Sequence, residues 1–474
     1  MAAAVLAPPA PSGHASLRSD PAERGAFTAP WSLAQGGRDT GVDMVRALSM
    51  VAIVVLHGLQ VGVVSSSAGP TLAYATVGRA WYPPLTWLLQ VLPLFFMIGG
   101  FAGLLSYRRL RARGGTPAHF VAGRVRRLLV PATLTVATVG TGLAMLAVGG
   151  LDADLLHQIG CRYGETLWFL GVFLAAQALL PAMVALHERA AVLVLVGLVA
   201  SAVGVDALRL ASGIEAVGYL DLAFVWLALQ QLGFFLAEGW IDRLGARTRL
   251  VGALGALGIL GGTVAGGVYS PDLIAAMNPP TSALLLLGVA QTLLLSLLRP
   301  RLQTLSEGPL LGGFTRFVTA RAMTIYLWNL PILLMMAGAT ALLATITGVG
   351  PPALSGSGWW FTRPLWLAIA LGLGAVVAAV LGAVESAAMP PATDSPRRAV
   401  RGVLLGIAAV LLLLLLGTSP FTAAAATALM LLAISGTGGG GRGDAQGPAS
   451  GERSRTAGRQ SPDERPASPA HGSP

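Results

Sequence analysis

The sequence lacks lysine and has one cysteine, and only 11% of its 474 residues are charged. The single thiol, Cys161, excludes an internal disulfide and a zinc site built from thiolates. The scarcity of charge excludes a water-soluble surface, because 54% of the residues are hydrophobic. What the sequence does contain is long apolar runs, which predict an integral membrane protein.

Twelve apolar runs have the length of membrane-spanning helices. They lie at 43–64, 85–107, 127–149, 166–186, 190–206, 216–238, 249–268, 281–298, 323–346, 364–384 and, more weakly, 401–417 and 421–436. We therefore predict an all-α fold, a polytopic transmembrane helix bundle of ten core spans plus one or two extra C-terminal spans. The predicted organisation is a disordered cytoplasmic N-terminal segment (1–37), a membrane domain (38–385), additional transmembrane spans (386–436) and a disordered cytoplasmic tail (437–474).

The basic residues behind the net charge of +10 are distributed unevenly between the connections, which indicates membrane topology. Arginines gather within 108–127, 243–249, 299–321 and 397–401, in alternate connections, whereas the opposite connections carry only Arg79, Arg162, Arg209 and Arg363. By the positive-inside rule this predicts a multi-pass protein of the plasma (cytoplasmic) membrane with a cytoplasmic N-terminus. No nucleic-acid partner is predicted, and membrane lipid is the expected surroundings.

The first span places two ionisable residues on one helical face. Arg46 and His57 are eleven residues apart, which is three turns plus about 20°, and about 16 Å along the axis. The arginine is then interfacial and the histidine deep in the hydrocarbon, where an ionisable group indicates a functional site. A neutral core imidazole bonded to a neighbouring helix is the simpler interpretation of His57, and a general base is the functional one. No metal-ligand spacing accompanies it, so no metal site is predicted.

The start of the third span presents a second group. Thr116 and Pro117 indicate an N-cap followed by proline at the first helical position. Arg124 and Arg127 then share one helical face, while Arg126 points elsewhere. Guanidinium is well suited to phosphate, so Arg46, Arg124 and Arg127 are candidates for binding a polyanion. The alternative is that these arginines only fix topology.

Five motifs, in this order, resemble the membrane acyltransferase-3 family. They are Arg46 with His57, PLFFMIGGF at 93–101, F-x-x-x-R-x-x-R-L-x-x-P at 120–131, LWFL at 167–170 and TIYLWNLPI at 324–332. The resemblance covers about residues 38–385. It implies an O-acyltransferase that moves an acyl group, expected to be acetyl, from cytoplasmic acyl-CoA to a hydroxyl of an extracytoplasmic carbohydrate or similar acceptor.

The resemblance also implies roles for individual residues. Arg46, Arg124 and Arg127 bind the phosphates of acyl-CoA (acetyl-CoA), and His57 acts at the thioester as base or as a transient acyl carrier. Tyr326 is a candidate hydrogen-bond donor to the thioester or acceptor. Asn329 stands where the family's Y-L-x-H-x-P segment usually has histidine, and we expect it to position substrate because an amide exchanges no proton near neutral pH.

Two departures leave alternatives open. Asn329 permits an inactive member with a binding role, and Phe173 occupies a position where some members carry glutamate. A multi-span transporter or flippase fits the apolar composition equally well, although no internal repeat supports it. Consumption of acyl-CoA by membranes containing the protein distinguishes these alternatives.

Overall fold

A computed structural model of the chain describes residues 39–439 except 67, 68 and 388. The predicted N-terminal segment 1–37 and positions 440–474 of the predicted tail lie outside the described residues. Thr437 and Gly438, in contrast, are part of the packed structure, because Gly438 pairs with Ala392 in an isolated antiparallel bridge.

Fourteen α-helices and two short strands make up the described part of the chain. In chain order they are α1 Thr40–Gln60, β1 Val61–Ser66, β2 Gly69–Tyr74, α2 Tyr82–Leu89, α3 Leu92–Ala112, α4 Pro117–Val148, α5 Ala153–Thr166, α6 Trp168–Ser212, α7 Asp221–Ala237, α8 Ala246–Ala265, α9 Ser282–Glu307, α10 Pro309–Ala320, α11 Ala322–Thr347, α12 Ser357–Ser386, α13 Pro396–Leu416 and α14 Pro420–Gly436. A 3-10 helix, Glu215–Leu220, precedes α7.

The helix-bundle prediction is confirmed. Ten helical segments in the described residues are long and apolar enough to cross a membrane, and α14 is a shorter apolar helix of 17 residues. The N-cap prediction for α4 is also confirmed, since the Thr116 hydroxyl accepts a hydrogen bond from the backbone N–H of His119 at 3.1 Å. The chain is therefore a multi-pass membrane protein.

The predicted fourth and fifth spans lie in one helical segment. Helix α6 has 45 residues, with a non-helical backbone at Ala190 (φ −155°, ψ 59°). A straight helix of that length measures about 68 Å, more than twice the hydrocarbon thickness of about 30 Å. The break at Ala190 divides α6 into two arms, each about as long as one span.

The first helix ends earlier than the predicted first span, 43–64. Helix α1 stops at Gln60, and the next residues form an antiparallel hairpin in which Val61 pairs with Tyr74 and Val63 with Leu72. A valine-rich run followed in the sequence by small residues, glycine and proline is a hairpin signal. The apolar run did not reveal the hairpin, because hydrophobicity alone does not distinguish the end of a helix from the start of a strand.

Two later helices extend further than predicted. Helix α9 continues past the predicted end at 298 to Glu307, so Arg299 is helical and buried instead of lying in a loop. Helix α12 begins at Ser357, seven residues before the predicted start at 364, and therefore includes Arg363. A hydropathy pattern does not reveal that Arg299 pairs with Asp39 and Asp242, or that Arg363 donates to backbone carbonyls of Gly58 and Val61.

One end of the bundle is held together by charge. Asp39 caps α1 by accepting from the N–H of Val42 at 2.9 Å, and its carboxylate also pairs with Arg299 of α9. Arg299 contacts Asp242 at 3.1 Å as well. We call this end, which carries residues 39–46 and 108–127, the arginine end, and the opposite end the hairpin end.

Helices α3 and α7 approach each other closely through glycine. A Cβ on Gly233 would collide with the carbonyl oxygen of Met97 and lie 2.7 Å from the backbone nitrogen of Phe101. Both atoms belong to the α3 backbone, which cannot rotate away. The stacked rings of Phe96 and Trp226, with centroids 4.4 Å apart, pack beside this contact. Close backbone packing of this kind is how apolar helices associate in a bilayer.

We expect Gly233→Ala to lower the free energy of unfolding by about 1–3 kcal/mol, as for other overpacked sites. The control is Gly255→Ala in α8, because a Cβ there meets no atom within 4 Å. Thermal unfolding of the detergent-solubilised protein, followed by size-exclusion chromatography, measures the difference. Equal melting temperatures for both variants would contradict the proposed close packing of α3 and α7.

Candidate functional site

A cavity of about 530 Å³ opens at the hairpin end. Its walls come from the last turns of α1, the hairpin, α5, α11 and the segment 274–278. Gln90 fixes that segment by donating to the Leu273 carbonyl at 2.8 Å. Gln60, one turn after His57, donates to the Tyr82 hydroxyl at 2.6 Å. The wall is thus built from several elements joined by side-chain hydrogen bonds.

His57 lies on the cavity wall and contacts Asn329. The amide Nδ2 of Asn329 is 2.8 Å from Nδ1 of His57, and Asn329 Oδ1 is buried with no hydrogen-bond partner among the described residues. The nitrogen and oxygen of an amide exchange places by a 180° turn, so Asn329 can donate to Nδ1 or accept from an Nδ1–H. Either way Nδ1 is occupied, and Nε2 is the nitrogen left for a substrate.

Aromatic rings form the floor of the cavity. Phe169 and Tyr326 meet edge to face with centroids 5.1 Å apart, and both line the cavity. The Tyr326 hydroxyl donates to the backbone carbonyl of Thr166 at 2.6 Å. Its hydrogen is therefore engaged within the protein, which leaves the oxygen to act as an acceptor towards a bound molecule.

Phe173 extends this aromatic layer away from the cavity. Its ring stacks on Phe169 with centroids 5.4 Å apart. A Cβ on Gly99 of α3 would lie 2.9 Å from the Phe173 ring, so Gly99 provides the space that the ring occupies. The departure from the family pattern at 173 is accommodated by packing.

Three polar residues lie at the mouth of the cavity. The Tyr74 hydroxyl donates to Glu165 Oε2 at 2.6 Å, and the Arg162 guanidinium lies over the Tyr74 ring, 3.2 Å from its centroid. Burial, followed by the hydrogen bond to Glu165, raises the pKa of Tyr74 to about 12, so the phenol keeps its hydrogen at physiological pH. Charged and aromatic groups thus face the opening together.

The three arginines predicted to bind a polyanion lie at the opposite end of the bundle. Arg46 is on α1, and Arg124 and Arg127 are on α4. Arg127 and Arg46 lie close enough to Arg124 for their positive charges to repel its guanidinium. Arg124 donates to the Ser106 hydroxyl at 2.6 Å and lies over the Phe120 ring. Among the described residues no carboxylate lies within ion-pair distance of Arg124 or Arg127.

Neighbouring arginines at this end have partners. Arg108 pairs with Glu188 and, at 2.6 Å, with Glu238. Burial raises the pKa of Glu238, but the nearby His187 and the hydrogen bond from Arg108 outweigh it and lower the pKa to about 2. Arg126 is buried and donates to the backbone carbonyls of Pro390 and Pro391. The prediction that Arg126 points away from Arg124 is confirmed.

The structure therefore brings His57 and Tyr326 to one cavity, with Asn329 bonded to His57, and places Arg46, Arg124 and Arg127 at the other end. The group at the mouth was not predicted from the sequence. Arg162 and Glu165 are three positions apart on an amphipathic helix, a spacing that predicts a shared face. Their contact with Tyr74 depends on the hairpin and could not be inferred from spacing.

Comparison with known proteins gives the family. The sequence model described as "Acyltransferase domain", of the acyltransferase-3 type, matches residues 39–384, well over half of the chain. No curated protein and no solved structure matches. The matched range contains all six predicted site residues and both ends of the site. The chain belongs to the acyltransferase-3 family and is a multi-pass membrane acyltransferase.

Proposed function

We propose that this acyltransferase takes an acyl group, acetyl in the simplest case, from cytoplasmic acyl-CoA and transfers it to a hydroxyl of an extracytoplasmic carbohydrate or similar acceptor. The arginine end then faces the cytoplasm and the hairpin end faces the outside of the plasma membrane. The observation that carries the proposal is that His57, bonded to Asn329, lines a cavity that opens away from the arginine end.

The donor site consists of Arg46, Arg124 and Arg127. Coenzyme A carries three phosphates, and guanidinium groups bind phosphate by paired, charge-assisted hydrogen bonds. The thioester lies at the far end of a long pantetheine arm. Since α1 separates Arg46 from His57 by about 16 Å, an extended arm connects a phosphate site at one end to an imidazole near the other.

His57 is the proposed general base. It accepts the hydrogen of the acceptor hydroxyl at Nε2 while that oxygen attacks the thioester carbonyl carbon. Collapse of the tetrahedral intermediate breaks the carbon–sulfur bond, and the imidazolium returns the proton to the departing thiolate. The products are the ester and free coenzyme A, with no net proton released. This role requires a hydrogen on Nδ1, so Asn329 accepts it through Oδ1.

Asn329 is thus proposed to orient His57, where the sequence alone suggested that it positions substrate. Tyr326 is proposed to hold the cavity floor through Thr166 and to accept a hydrogen bond from the acceptor. Arg162, Glu165 and the ring of Tyr74 are proposed to bind sugar hydroxyls at the mouth, where charged hydrogen bonds and ring stacking both act.

We expect His57→Gln and His57→Ala to lower kcat by about 10²–10⁴-fold, the usual contribution of a general base. Thiol release from acetyl-CoA supplied to inside-out membrane vesicles measures turnover. The control is His119→Gln, at the start of α4 and outside the site. Wild-type turnover in both His57 variants would remove this residue from the mechanism. Turnover only in right-side-out vesicles would contradict the orientation.

For the donor site, alanine at Arg46, Arg124 or Arg127 should weaken acetyl-CoA binding by about 10- to 150-fold, as expected for loss of one charge-assisted hydrogen bond. S-acetylpantetheine has no nucleotide phosphates, so its KM should not change. Arg126→Ala should lower thermal stability and leave the KM for acetyl-CoA unchanged. An equal loss of affinity for both donors in the arginine variants would assign these residues to topology.

Asn329 tests whether the departure from the family pattern matters. Asn329→Leu removes the hydrogen bond to His57 and should lower kcat by about 10- to 100-fold, since misplaced catalytic groups lose rate on this scale. Asn329→His should be neutral or harmful, because Nδ1 of His57 already has a partner. A hundredfold or greater gain of turnover in Asn329→His would show that this position normally exchanges a proton.

A further inference from the structure

The last turn of α1 carries His57 and ends at the hairpin, so the carbonyl groups after His57 lack helical partners. The His57 carbonyl accepts from the N–H of Val61, and the Gln60 carbonyl accepts from the N–H of Ala75 at 2.8 Å. The Gly58 carbonyl accepts from a side chain on a distant helix, Nη1 of Arg363 in α12, at 3.1 Å. The same Nη1 lies 3.3 Å from the Val61 carbonyl.

Arg363 is held firmly in this position. Its guanidinium lies between the rings of Trp359 and Trp366, 4.1 and 4.6 Å from their centroids. The residue is only 8% exposed, and Trp359 is 2% exposed. Nη1 makes the two hydrogen bonds to carbonyls, whereas Nε is buried with no hydrogen-bond partner among the described residues. Because burying a cation is unfavourable, a guanidinium that served topology alone would lie in water.

The packing of α12 on α1 brings Arg363 to this carbonyl. A Cβ on Gly58 would collide with Leu367 and lie 3.6 Å from the Trp366 ring, so α12 contacts α1 directly beside His57. Arg363 does not line the cavity. It therefore reaches the proposed chemistry only through the backbone of α1.

We infer that Arg363 is a positioning residue for His57. It satisfies the carbonyl that follows His57 and places a positive charge at the C-terminus of α1, where the helix dipole is negative. The last turn of α1 then stays helical when the acceptor binds beside the hairpin. The distance between the His57 imidazole and Asn329 is thereby kept. This inference rests on the proposed role of His57.

The test compares Arg363→Met and Arg363→Lys with Arg126→Met. Arg126 is the matched control because it is 7% exposed and also donates to two backbone carbonyls, at a connection outside the site. In the monodisperse fraction of purified protein, Arg363→Met should lower kcat by about 10- to 100-fold with an unchanged KM for acetyl-CoA. Arg363→Lys keeps the charge and should recover part of the rate. Arg126→Met should lower the melting temperature only.

A second readout does not depend on turnover. Diethyl pyrocarbonate modifies accessible imidazoles, and peptide mass spectrometry gives the rate at each histidine. We expect Arg363→Met to raise the rate at His57 several-fold and to leave His119 unchanged. Wild-type kcat and a wild-type His57 modification rate in Arg363→Met, or in Arg363→Gln if the methionine variant does not fold, would overturn the inference. Absence of acyl transfer in the wild-type protein would overturn the proposed function, while the modification rates would still decide the role of Arg363.

Discussion

The regular rise of one buried helix fixes the geometry of this protein. Helix α1 has Arg46 near its start and His57 in its last turn, and both ends are tied to other helices by charge. Arg299 of α9 pairs with the capping residue Asp39, and Arg363 of α12 binds the Gly58 carbonyl. Because the helix is continuous from Thr40 to Gln60, the spacing of the two groups cannot vary much without breaking one of these ties.

The arginines at the arginine end fall into two groups. Some are paired within the protein and hold the bundle together, and others are available to a ligand. Arg108, Arg126 and Arg299 have partners within the protein, and their contacts join segments distant in sequence. Arg124 and Arg127 have no carboxylate partner among the described residues, although they lie near Arg46. Like charges held together repel each other, so this arrangement favours an anion that neutralises them. The same residue type thus serves two purposes within one turn of α4.

Much of the fold follows from the sequence, because apolar length and basic connections are local properties. The helices, the cap at Thr116 and the shared direction of Arg46 and His57 could be predicted in this way. The contact of Asn329 with His57 could not, since it joins residues 272 positions apart. Arg363 illustrates the same limit: its neighbours in sequence suggest a loop at a membrane surface, and only the packing of α12 on Gly58 shows that it is buried. The hairpin was not predicted because its first residues, 61–64, continue the apolar run of the helix before it.

The fit of Phe173 over Gly99 has a consequence for how such proteins diverge. While a phenyl ring occupies this space, any side chain at position 99 must push against it, because a Cβ there would lie 2.9 Å from the ring. A shorter or polar side chain at 173 would release that space and permit alanine or serine opposite it. The two positions are therefore expected to covary among homologues, with glycine at 99 accompanying an aromatic residue at 173.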